Sequence, residues 1–190
     1  YYIGKKKYQE SANIYMQMDS VALIDANVKT DMEVVANNLY KNSDKNIAIN
    51  LYEMLYRLYK GNKPFSNNVV YFRLGKYYYD MMNYEKAVPY LELGSELQVG
   101  SASYLLGVCY NKGEGVEPDN ETALVYFHKA VEQKYERAWY YIGMDYAKKT
   151  EEPEAQEKAL KCFIKAARAG SKPAQTVLKQ KNINWEKTVE

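Results

Sequence analysis

The chain has 190 residues, of which 47% are hydrophobic and 26% charged, and its 26 lysines and arginines against 24 carboxylates leave a net charge of +2. That balance suits one folded domain or a short array and lacks the strong basic excess of a dedicated nucleic-acid binder. No apolar run approaches the ~20 residues that cross a bilayer, so no membrane insertion by this fragment is expected.

Glycine and proline are sparse, with 10 and 5 residues, and fall mostly between periodic stretches. This predicts helices joined by short turns rather than sheets. In chain order, residues 1–24 come first, and the sequence begins at Tyr1 rather than methionine, as a trimmed fragment would. Its densest basic run, Lys5-Lys6-Lys7, reads as a solvated helix end. Tyr8-Gln9-Glu10-Ser11-Ala12 resembles Tyr84-Glu85-Lys86-Ala87-Val88, 76 residues on. The segment is therefore expected to be half a unit, a second helix without its first. In residues 25–63, Ile47 to Tyr52 matches the stretch from Lys86 at an offset of 39, and Val35-Ala36 with Leu39 forms a degenerate first helix. Ser43 or Asp44 can cap the helix that follows. Gly61-Asn62-Lys63-Pro64 cannot continue a helix and closes the unit.

Residues 64–100, 101–136 and 137–172 repeat more strictly. Ala102-Ser103-Tyr104-Leu105-Leu106-Gly107 matches Ala138-Trp139-Tyr140-Tyr141-Ile142-Gly143 at an offset of 36, and Val70 to Gly75 has the same form. Tyr78, Tyr110 and Tyr146 each follow their glycine by three residues. Second segments begin at Ala87, Ala123 and Ala159, again 36 apart, and small residues recur at Gly94, Ala130 and Ala166. The pattern predicts two antiparallel helices per unit. Gly75, Gly107 and Gly143 let them cross closely, opposite Ala87, Ala123 and Ala159, and the tyrosines fill the wider end. Phe127 and Phe163 point toward the neighbouring unit. Such a pair cannot bury its apolar face alone, so units must stack. Asp119 or Asn120 can cap a second helix. Gly170 and Pro173 bracket the last crossing, and residues 173–190, whose polar tail from Asn182 to Glu190 carries Trp185, are expected to cap the array.

Trp139, Ile142, Gly143 and Tyr146 nearly reproduce the W-x-x-L-G-x-x-Y signature of the tetratricopeptide superfamily. Gly113, Gly115, Val116, Asp119, Thr122 and Ala123 follow the long-loop signature of its Sel-like branch, with Thr122 in place of lysine. The chain thus resembles a hybrid of the two. Gly107 to Ala123 and Gly143 to Ala159 span 16 residues, the Sel-like spacing, whereas Gly75 to Ala87 spans 12. In the third unit Lys149 and Glu151 replace the loop glycines. The resemblance implies an all-α, right-handed superhelical α-solenoid of antiparallel helix pairs over residues 1–190, as a single domain.

It further implies a protein-interaction scaffold whose first helices line a concave groove for a peptide or protein segment. Carried over by register, the groove residues are Phe72, Lys76, Tyr79, Tyr104, Asn111, Lys112, Tyr140, Met144 and Lys148. The weaker upstream unit would add Glu33, Asn37, Tyr40 and Lys41. Tyr104 and Tyr140 should be partly exposed neighbours, and Lys112 and Lys148 suit a ligand bearing carboxylates, although both also read as solvated helix ends. The alternative is a regulatory or anchoring module acting through an end or convex surface.

Nothing nominates a catalytic residue, a metal site or a cofactor. His128 is the only histidine and reads as a surface or packing residue. Gly113-Glu114-Gly115 follows a helix and lacks a third glycine, so it is not a phosphate-binding loop. Cys109 and Cys162 lie within helical patterns, without disulfide or metal spacing, and are expected to be buried free thiols.

Overall fold

The computed structural model describes residues 2–18, 26–42, 44–58, 67–149 and 151–187. Among these are ten α-helices and no strand: α1 (Tyr2–Gln17), α2 (Ala26–Lys41), α3 (Lys45–Leu58), α4 (Val69–Asp80), α5 (Tyr84–Glu96), α6 (Gly100–Lys112), α7 (Asn120–Glu132), α8 (Trp139–Lys148), α9 (Pro153–Arg168) and α10 (Lys172–Gln180). The chain divides into two compact units, 1–70 and 71–190. The Gly61–Pro64 turn and the Ser43 cap lie outside the described residues.

In the first unit α2 and α3 pair, and α1 packs against both. Ala36 and Leu39 are buried, as are Ala48, Ile49 and Tyr52 opposite them, as the degenerate register requires. The Tyr52 hydroxyl donates to Asn37 Oδ1 at 2.8 Å. Glu33 is buried and accepts the Asn67 backbone N–H at 3.2 Å. Asn37 and Glu33, expected in a groove, are therefore tied up inside their own unit.

The second unit carries the strict repeats. A Cβ placed on Gly75 would lie 2.6 Å from Leu91, one on Gly107 2.8 Å from Phe127, and one on Gly143 3.0 Å from Phe163. These three large partners are themselves 36 residues apart. Each glycine thus makes room for the side chain of the following helix, and the helices can approach closely. Phe127 is buried, and its ring also stacks on Tyr141 of the next unit, with centroids 4.2 Å apart and planes 5° from parallel. One ring therefore holds α6, α7 and α8 together. Tyr78 stacks on Tyr90 and Tyr110 on Tyr126, at 6.0 and 5.5 Å. Between the units Ser103 Oγ lies 2.8 Å from Ser95 Oγ and 2.6 Å from Gln133 Oε1, so the buried hydroxyls are satisfied across α5, α6 and the end of α7.

Turns recur as strictly as cores. Gln98, Lys134 and Gly170, each just past a second helix, have φ of 64°, 66° and 82°. Behind them Val99, Tyr135 and Ser171 donate their N–H to Gly94, Ala130 and Ala166 O at 2.9, 2.8 and 2.9 Å. This is the six-to-one bond of a Schellman motif, which satisfies carbonyls left over at a helix end. Only the last of the three uses glycine in the left-handed position.

The two long loops differ. Between α6 and α7, Gly113 and Gly115 have φ of 73° and 79°, and a Cβ on Gly115 would lie 2.7 Å from the Tyr84 carbonyl oxygen. Glycine is therefore required where this loop lies against the start of α5. Asp119 caps α7, accepting from the N–H groups of Glu121 and Thr122 at 2.9 and 3.2 Å. The Thr122 hydroxyl, which replaces the signature lysine, donates to the same carboxylate at 2.6 Å. Between α8 and α9 the loop glycines are absent, and α9 begins at Pro153, about one turn earlier than the equivalent start of α7. Proline suits a first helical turn because it has no N–H to leave unpaired. The residues that would have formed the long loop become helix.

Gly107→Leu should overpack the Phe127 contact and cost roughly 1–3 kcal/mol, while Phe127→Ala should cost about 3–5 kcal/mol; chemical denaturation reads both. Lys134→Gly should raise stability by up to about 1 kcal/mol, because it relieves a left-handed non-glycine residue. A loss on that substitution would contradict the turn geometry.

Candidate functional site

The nine residues carried by the register all fall on α4, α6 and α8, but they do not form one wall. On α4, Lys76 is exposed and holds Asp80 at 2.7 Å. Phe72 is half-buried and packs against the core. Tyr79 donates its hydroxyl to Glu114 at 2.5 Å, and Lys112 Nζ lies 3.5 Å from the same carboxylate. Glu114, from the G-E-G loop, thus engages one expected groove residue from each of two neighbouring units.

Tyr104 and Tyr140 are both half-buried but play different parts. Tyr104 turns into the core, with its ring centroid 5.0 Å from Tyr135, 5.9 Å from Tyr141 and 6.1 Å from Phe127. Tyr140 lines a cleft of about 300 Å³ with Asn111, Met144 and Lys148, four of the nine expected residues. Phe127, Tyr141, Ala123 and Leu124 complete its apolar side, and Asn120 and Asp145 its polar side. Asn111 Nδ2 donates to Asn120 Oδ1 at 2.9 Å, and Asp145 lies 3.5 Å from Lys149 Nζ. Met144 is 38% exposed, and Lys148 is exposed at the end of α8.

The register missed the α7 residues because it assigned the groove to first helices alone. Asn120, Ala123, Leu124 and Phe127 fall at helical spacing and belong to the side of α7 that meets α6 and α8. That spacing was the available signal.

Burial sets the chemistry of the neighbourhood. It pushes the Cys109 thiol from an ordinary 9 up to about 12, aided by the Glu114 carboxylate. It also raises the Tyr79 hydroxyl, helped by the hydrogen bond to Glu114, and the Tyr104 hydroxyl, helped by Tyr141 and Tyr135. These groups are therefore neutral packing elements near neutral pH and poor nucleophiles. Among the described residues no three histidine, cysteine or carboxylate side chains gather as a metal site, and no helix is long and apolar enough to cross a membrane.

Helix pairs closed by glycine–aromatic crossings and stacked at a 36-residue interval define an all-α repeat protein of the solenoid class. Residues 100–135 and 150–171 match the Sel1 repeat model, so these two segments are similar to Sel1 repeats. The crystal structure of a Sel1 repeat protein from Oxalobacter formigenes is similar, with a TM-score of 0.60 at 20% identity over 80% of this chain and 63% of that one. At that identity the likeness concerns the fold, and the chain spans less than two thirds of the solved relative. No curated protein matches the sequence significantly. Repeats of this type generally serve as protein-interaction modules and are typically non-enzymatic.

The raised thiol and phenols give a pH dependence with a definite sign. Below about pH 9 Cys109 is neutral in folded and unfolded chains alike, and its contribution is intact. From pH 9 toward 12 the unfolded chain ionises first and stability falls. Midpoints of urea unfolding should therefore decline steadily above pH 9, with Tyr79 and Tyr104 adding to the loss, and a flat alkaline limb would contradict this burial.

Proposed function

We propose that residues 71–187 act as a scaffold that takes a protein or peptide segment across the first helices, centred on the cleft between α6, α7 and α8. The observation that carries this reading is the convergence of Asn111, Tyr140, Met144 and Lys148, drawn from two successive units, on one cavity with an aromatic floor. About 300 Å³ lies at the small end of ligand pockets and accommodates one or two side chains of a bound segment.

The chemistry suits such a segment. Phe127, Tyr140 and Tyr141 offer rigid contact area at low entropic cost. Met144 adapts its shape to what it meets. Asn111 and Asn120 present amides of the kind that pair with an extended backbone. Lys148 makes no ion pair among the described residues and supplies a cation for a carboxylate on the ligand. Lys76, Tyr79 and Lys112 would have to exchange Asp80 or Glu114 for a ligand group, which places them at the edge of the site rather than its centre.

Capture from the native source, with wild-type protein and two variants side by side, tests the proposal. Lys148→Glu should slow association with an acidic partner, most strongly at low salt. Tyr140→Ala combined with Met144→Ala should remove contacts of about 2 kcal/mol at an anchor position and lose the partner. Tyr140 also touches Phe163, so thermal melts must confirm that the double variant is folded. Undiminished capture by both variants would move the site away from the cleft.

A further inference from the structure

Charge is distributed very unevenly along the second unit. Residues 71–157 carry nine lysines and arginines against fifteen carboxylates, a net charge of −6. Residues 158–187 carry eight lysines and arginines against a single carboxylate, Glu186, a net charge of +7. The overall +2 hides two strong, opposite regions. Lys158 and Lys161 are neutralised on α9 by Glu154 and Glu157, at 3.7 and 2.6 Å. Further on, Lys172, Lys179, Lys181 and Lys187 are exposed and make no ion pair among the described residues.

One of these cations, Lys179, lines a cavity separate from the α6–α8 cleft, and Lys181 and Lys187 flank its lining residues in sequence. The turn after α10 folds back so that Ile183 and Trp185 pack on the α9–α10 core. Arg168 Nε donates to the Trp185 carbonyl at 3.1 Å, and Lys179 Nζ sits 5.9 Å over the Trp185 ring. Between them lies a cavity of about 400 Å³ lined by Lys179, Asn182, Ile183, Asn184, Trp185 and Glu186. It combines an apolar wall and side-chain amides with Lys179 and Glu186, within a segment whose net charge is +7.

We infer that this face, formed by the end of α9, α10 and the turn through Trp185, docks an acidic protein segment that seats an apolar side chain in the Ile183–Trp185 cavity. Like charges held this close destabilise a protein unless something opposes them, and an acidic partner would relieve that repulsion. Other polyanions fit less well. One face of the Trp185 ring is covered by Lys179 and the ring packs on the core, which leaves it poorly placed to stack on a base. On α10, Ala174 and Leu178 are buried and Val177 is partly buried against the same core, and from residue 145 onward no large hydrophobic side chain is exposed among the described residues. A lipid surface would thus gain only charge, whereas the cavity and its amides match a peptide.

Fluorescence anisotropy tests the assignment with a labelled dodecapeptide, Glu-Glu-Leu repeated four times. Two control peptides replace every glutamate by glutamine or every leucine by serine; a single-stranded DNA dodecamer and phosphatidylserine vesicles complete the panel. The acidic peptide should bind at about 50 mM salt and weaken roughly tenfold by about 200 mM. The glutamine peptide should not bind, and the serine peptide should bind several-fold more weakly. Lys172→Glu with Lys179→Glu and Lys181→Glu should lower affinity at least about tenfold; the matching glutamine triple should fall in between. Lys134→Glu, an exposed charge reversal in the turn after α7 that lines neither cavity, should leave this binding unchanged, which separates the basic face from a general charge effect. The inference fails if the acidic peptide does not bind, if the reversed variant binds as wild type, or if DNA or vesicles bind as tightly as the peptide. Equal binding of the leucine and serine peptides would remove the cavity from the account.

Discussion

The second unit depends on one side chain filling the space left by another residue's missing one. Phe127 enters the gap at Gly107 and, from the same position, stacks on Tyr141 at 4.2 Å. The first contact lets α6 and α7 cross closely; the second attaches α8. Because interiors are close-packed, neither contact can loosen without the other shifting. Leu91 at Gly75 and Phe163 at Gly143 repeat the arrangement on either side. The cleft follows from it: its floor is the outer edge of the same aromatic stack, so the surface proposed to bind is continuous with the core that holds the units together.

Much of this was legible in the sequence. The 36-residue interval located the helix pairs from α4 to α9 because glycine, alanine and tyrosine recur where sterics allow few alternatives. The Asp119 cap was legible for the same reason, since a short side-chain acceptor is needed just before a helix. The turns were not. Gln98 and Lys134 occupy the left-handed position that glycine usually takes, so no composition signal marks it; the signal lies in backbone hydrogen bonds to Gly94 and Ala130. The start of α9 was obscured in the opposite sense. Spacing suggested a long loop, yet without glycines those residues extend the helix from Pro153.

The site was half legible. Register alone selected Asn111, Tyr140, Met144 and Lys148, but also Tyr104, which belongs to the core, and Lys112 and Tyr79, which Glu114 engages. A register assigns residues to a face; it does not say which of them find partners within the protein. The uneven charge was present in the sequence too, but a whole-chain total conceals it. Only the packing of Trp185 beneath Lys179 and Arg168 gives the basic segment a shape.

The central claim, that a single ring couples neighbouring repeats, is tested most directly by a double-mutant cycle between Phe127 and Tyr141. Phe127→Leu, Tyr141→Leu and the double variant would be unfolded in urea and compared with wild type. Stacked aromatic pairs contribute about 0.5–1.5 kcal/mol beyond their buried area, and residues in contact depart measurably from additivity. The account predicts a coupling energy in that range, with all three variants still helical. Additive losses, with no coupling between the two positions, would contradict it.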